Sequence, residues 1–111
     1  MILVSIKDAT TNYILTAEIQ PSGDLVVSAS DFSPSIKQAF DTDEYEYFYV
    51  VKAADVDRVR TALGITDTLL PRVELLQRLR ALLEPHGYTA STQWKAWLVA
   101  NNIPYDFSVW R

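Results

Sequence analysis

Apolar and polar residues alternate at the start of the chain. In Met1–Lys7, Ile2, Val4 and Ile6 fall on one side of an extended strand; in Tyr13–Gln20, Tyr13, Leu15, Ala17 and Ile19 do the same. The polar stretch Asp8–Asn12 connects them. Pro21-Ser22-Gly23-Asp24 supplies a turn, because proline presets φ and glycine accepts a positive one. Leu25–Ser30 returns as a third strand, and the three together predict an antiparallel meander.

Asp31–Phe40 reads as a loop and a short helix, with Ser33 as its cap and Pro34 at its first position. Asp41–Glu44 is an acidic approach to the most strand-like run in the chain. From Tyr45 to Val51 every residue but Glu46 is aromatic or β-branched, which suits a pleated surface. Tyr45, Tyr47, Tyr49 and Val51 point one way; Glu46, Phe48, Val50 and Lys52 point the other. Both faces carry apolar groups, so the run is expected inside the sheet, as its central strand.

Helical spacing takes over next. Ala54–Leu63 places Val56, Val59 and Leu63 on one stripe, and Gly64 ends it with a left-handed cap. A longer helix runs from Thr68 or Pro71 to Glu84, with a stripe of Val73, Leu75, Leu76, Leu79, Leu82 and Leu83. On its polar face Glu74 and Arg78 form an i,i+4 pair worth about 0.2–0.5 kcal/mol. Pro85-His86-Gly87 stops it. A third helix, Ala90–Asn101, carries Trp94, Trp97 and Leu98 on one side; Asn102 and Pro104 terminate it. Tyr105–Trp110 alternates again as a last strand. The strand and helix order, β-β-β-β-α-α-α-β apart from the short early helix, predicts one α+β domain spanning 1–111. Its expected architecture is a mainly antiparallel sheet of about five strands with helices packed on one side.

Composition narrows the function. At 111 residues with 49% hydrophobic content the chain has ample surface to bury. It holds no cysteine, which excludes disulfides and thiolate zinc sites. No apolar run is long enough to cross a membrane, and Met1–Asp8 is too short and too soon charged for a signal peptide, so a cytoplasmic location is expected. The net charge is −4, and residues 31–57 hold seven acids against two bases. An acidic whole argues against nucleic acid as a partner.

Tests for catalytic chemistry return little. His86, the single histidine, sits between a proline and a glycine, where a solvated turn residue is the ordinary reading. No serine occupies a nucleophile elbow, and three glycines make no phosphate-cradling loop. Asp41-x-Asp43-Glu44-x-Glu46 departs from calcium-loop spacing at the third ligand and lacks the glycine that should follow. No catalytic set, metal site or cofactor is assigned. Tyr45, Tyr47, Phe48, Tyr49, Trp94, Trp97, Tyr105, Phe107 and Trp110 either fill a core or line a cleft. Three tyrosines on one strand face favour some access to water, since each hydroxyl needs a partner.

Gly23-Asp24-Leu25-Val26-Val27, Asp31, Glu44-Tyr45-Glu46-Tyr47-Phe48 and Ile103-Pro104-Tyr105-x-Phe107 with Trp110 resemble segments of small uncharacterised bacterial single-domain proteins. In size and acidity the chain is also similar to immunity proteins of bacterial toxins. That resemblance implies a protein that binds and blocks a basic toxin domain through acidic and aromatic surface residues. The leading expectation is therefore a non-enzymatic protein-binding domain. Asp41, Asp43, Glu44 and Glu46 would steer the partner, with Tyr45 and Tyr47 as anchors. The competing expectations are a small enzyme or ligand-binding domain with a Tyr/Trp-lined cleft, and a structural or dimerising module.

Overall fold

The computed structural model describes residues 1–9, 11–32, 45–65 and 71–110, with backbone alone for Tyr45 and Trp110. The expected short helix within 33–40 and the acidic approach 41–44 lie outside the described residues. Five strands form one sheet in the order β1-β2-β3-β4-β5: β1 is Ile2–Lys7, β2 Asn12–Ile19, β3 Leu25–Asp31, β4 Tyr45–Val51 and β5 Asp106–Trp110. Every neighbouring pair is antiparallel. The helices follow β4: α1 spans Ala53–Ala62, α2 Pro71–Leu83 and α3 Ala90–Ala100, with a 3-10 segment, Glu84–Thr89, joining the last two. This is the α+β order expected. The strand read as central is interior, as its two apolar faces require, but β3 occupies the middle position.

One face of the sheet is the core face. On β2 and β3 the residues Tyr13, Leu15, Ala17, Leu25, Val27 and Ala29 are all fully buried, and each is two positions from the next on its strand. The opposite face carries Ile14, Val26, Phe48 and Val50, each half-buried among Thr16, Ser28 and Ser30. On β1 the expected alternation breaks. A bulge lies between Ile2 and Val4, so Leu3 and Val4 are both buried while Ile2 is 55% exposed. An extra residue in one strand turns two successive side chains toward the same side, which alternation alone does not show.

Helix α2 lies over β1 and β2. Its buried residues are Leu75, Leu79 and Leu83, at i, i+4 and i+8 along one line. Val73, counted in the stripe from sequence, is 44% exposed because it projects away from that line. Glu74 and Arg78 do pair, at 3.0 Å. Helix α3 buries Ala90, Ser91, Trp94 and Leu98, and the Trp94 ring stacks on Trp97 at 5.3 Å. Full burial of each leucine contributes about 1.5–3 kcal/mol. Helix α1 buries Val56 and Val59. Its first amide, on Ala53, donates to Asp24 Oδ1 at 2.8 Å, so the β2–β3 turn caps a helix that lacks a cap of its own. Gly64 and Asn102 adopt φ of 77° and 56°, the left-handed helix ends that the sequence predicts.

The helices do not cover the sheet evenly. On the core face of β5, Phe107 remains 51% exposed and Val109 40%. Between Phe107 and the start of α3 lies a cleft.

Candidate functional site: an aromatic cleft beside helix α3

The cleft has a volume of about 360 Å³ and opens to solvent. Strand geometry supplies one wall. Tyr47 and Tyr49 are two apart on β4, and Phe107 is the register partner of Tyr49 on β5, so all three stand on the same face. The rings are inclined to one another rather than parallel. Tyr47 and Tyr49 meet edge to face at 6.2 Å; Phe107 lies 5.0 Å from Tyr49 and 6.3 Å from Tyr47. Behind them Tyr105 packs on Tyr49 at 5.8 Å.

The other wall comes from the chain between α2 and α3. That segment kinks at Gly87, whose φ of 55° and ψ of −125° are non-helical. The kink turns Tyr88 back over the end of β3, against the Tyr13 ring at 5.1 Å. Thr89, Ser91 and Thr92 complete this side. Both walls are tied across the cleft by hydroxyl chemistry. The Tyr47 and Ser91 hydroxyls are hydrogen-bonded at 2.9 Å. The Tyr88 hydroxyl donates to the carboxylate of Asp31.

Asp31 lines the cleft yet is only 3% exposed. It ends the inward-facing row Leu25, Val27, Ala29, and a carboxylate in that row is the sequence signal for the site. Reading β3 as ending at Ser30 hides it. Tyr13 lies deeper, fully buried beside Ser91 and Tyr47, and its hydroxyl has no well-aligned hydrogen bond. Burial holds its pKa well above the ordinary phenol value.

Of the contact residues expected from sequence, Tyr47 belongs to this cleft. Glu46 follows the strand's alternation to the opposite face, where its carboxylate accepts from Ser30 Oγ at 3.0 Å. Tyr45 begins β4, with its side chain outside the described residues, as are Asp41, Asp43 and Glu44 altogether. Among the aromatic residues weighed for a cleft, Tyr47, Tyr49 and Phe107 line this one. Trp94 is core, and Phe48 faces the other side. His86 is exposed and borders a separate hollow of about 150 Å³ with Leu82, Leu83, Gln93 and Trp97. Among the described residues no group of three histidines, cysteines or carboxylates gathers at one point. No described helix is long and apolar enough to cross a membrane. Compared with known proteins, the chain matches no protein-family model, no curated protein and no solved structure.

Proposed function

We propose that this protein is a binding domain that grips a protein partner at the aromatic cleft. The observation that carries this reading is the exposure of the rim. Tyr88 is 47% exposed and Phe107 51%, around a concavity whose inner walls are further tyrosines. Aromatic side chains around a pocket are the usual makings of an interface hot spot, because they offer contact area at little entropic cost. Both walls are held by hydroxyl hydrogen bonds, so the surface is preorganised and little ordering cost falls on binding. The chain's net charge of −4 favours a basic partner, and a toxin domain neutralised in the manner of an immunity protein is the partner class proposed.

The test is selection of a displayed random-peptide library on the folded protein, with enriched peptides re-assayed on Tyr88→Ala and Phe107→Ala. Peptides that bind the parent and lose at least about tenfold on both variants support the reading, since a hot-spot truncation costs about 2 kcal/mol or more and tenfold is about 1.4 kcal/mol. Peptides indifferent to both variants count against it.

A second reading, a small-molecule site, has one observation in its favour. The volume of about 360 Å³ falls within the range of ligand pockets, and hydroxyls from both walls converge on it. On that reading the peptide selection would return nothing specific to the cleft.

A further inference from the structure

We infer that the cleft receives an arginine side chain from the protein partner. This rests on the protein-binding reading and names the chemistry of the group that enters. Tyr47, Tyr49 and Phe107 stand close together with their planes 47–81° apart, so ring faces as well as edges line the space. Ring faces carry negative quadrupole charge and attract a cation. Asp31, 3% exposed and bonded to Tyr88, adds its negative charge at the wall of the same cleft. The Tyr47 and Ser91 hydroxyls, bonded to each other across the cleft, add oxygen acceptors to the same lining.

These features select among side chains. A guanidinium is planar, weakly hydrated and always charged; it stacks on rings while its five N–H groups donate to carboxylate and hydroxyl oxygens. A lysine ammonium is compact and strongly hydrated, so it gains from the carboxylate but not from stacking. An aliphatic side chain of similar size carries no charge, so it gains neither the attraction of the ring faces nor that of the carboxylate. Charge complementarity points the same way, because the domain that carries the cleft is acidic.

The experiment titrates the whole protein with capped Gly-Arg-Gly and with its citrulline, lysine and norleucine counterparts, following the aromatic carbon–proton resonances of Tyr47, Tyr49, Tyr88 and Phe107. The expected result is movement of those resonances with the arginine probe, at an affinity about tenfold above that for citrulline, the isostere without charge. Asp31→Asn should erase most of that preference. Phe107→Leu, at the exposed rim, should weaken arginine several-fold and leave the fold intact, so the test survives even if the Asp31 variant fails to fold. Citrulline, lysine or norleucine binding the cleft as tightly as arginine overturns the inference, and so does an arginine probe that leaves the four rings unmoved. Neither result touches the broader reading, which stands or falls on whether selected peptides respond to Tyr88→Ala and Phe107→Ala.

Discussion

Tyr88, on the kinked segment between α2 and α3, donates its hydroxyl proton to Asp31 at the end of β3, 57 residues earlier. This bond joins the helical layer to the sheet at the base of the cleft. Its acceptor is a charged group with 3% exposure, the setting in which a hydrogen bond contributes most. Tyr88→Phe, which keeps the ring and removes the donor, should lower stability by about 1.5 kcal/mol in urea unfolding. Combined with Asp31→Asn, the two losses should fall short of additivity by about 1 kcal/mol in a double-mutant cycle. Additive losses would mean that the two side chains are neighbours without being coupled.

Tyr13 presents the opposite case. Its hydroxyl is buried beside Ser91 and Tyr47 without a well-aligned bond. Removing a poorly satisfied buried hydroxyl while keeping the ring costs little, so Tyr13→Phe should leave stability at pH 7 unchanged or raise it by about 1 kcal/mol. The pH dependence has a definite sign. Burial raises the folded-state pKa of Tyr13 well above the ordinary value. The folded protein therefore keeps this proton at pH values where the unfolded chain has lost it. The group's contribution to stability is complete below the unfolded pKa of about 10 and declines above it by up to about 1.4 kcal/mol per pH unit. Stability measured from pH 9 to 11.5 should fall less steeply in Tyr13→Phe than in the parent; identical slopes would show that the hydroxyl is more solvated than its position implies.

The β2–β3 turn carries a second long-range tie, from Asp24 Oδ1 to the Ala53 amide at 2.8 Å. Asp24→Ala should cost about 1 kcal/mol, the usual loss for a helix cap, and Asp24→Asn should cost much less, since an amide oxygen also accepts. Gly23 is more constrained. Its φ is 93°, and an added Cβ would come within 3.1 Å of the Ala53 Cβ. Gly23→Ala combines a disfavoured backbone with a tight contact and should cost about 1–2 kcal/mol. Thermal unfolding of the three variants should rank Asp24→Asn as the mildest.

Helix α2 shows how far a sequence pattern carries. Six apolar residues looked like one stripe, but only Leu75, Leu79 and Leu83 share the line that meets the sheet and become fully buried. Leu79→Ala should therefore cost about 2–5 kcal/mol. Val73→Ala, at a 44% exposed site, should change stability by less than about 1 kcal/mol. Comparable losses at both positions would contradict the packing described.

The strands and helices were legible because burial on one face imposes a period of two or of 3.6 on the residues themselves. The bulge at Ile2–Val4 was not, since Ile2, Val4 and Ile6 suit an unbroken strand equally well. Asp31 was half legible: continuing the alternation of β3 by one residue puts a carboxylate among inward-facing groups. Tyr88 and Ser91 carried no such signal. They reach Asp31 and Tyr47 because the chain turns at Gly87, and no local pattern encodes the distance between a loop and a strand so far apart in the chain. The reverse holds for the acidic run ahead of β4. Its acids are dense in the sequence, yet of the expected contact residues whose side chains are described, Glu46 and Tyr47 stand on opposite faces of β4 and Tyr47 alone reaches the cleft.

The central claim is that the cleft between α3 and the β4–β5 pair is the surface that meets a partner. Amide hydrogen exchange, measured on the protein alone and then saturated with a peptide enriched on it, tests that most directly. The account predicts added protection in the Tyr88–Thr92 segment and along β5, with none in helix α1 or at the β2–β3 turn. Protection confined to other parts of the chain, with the Tyr88–Thr92 segment unchanged, would contradict it.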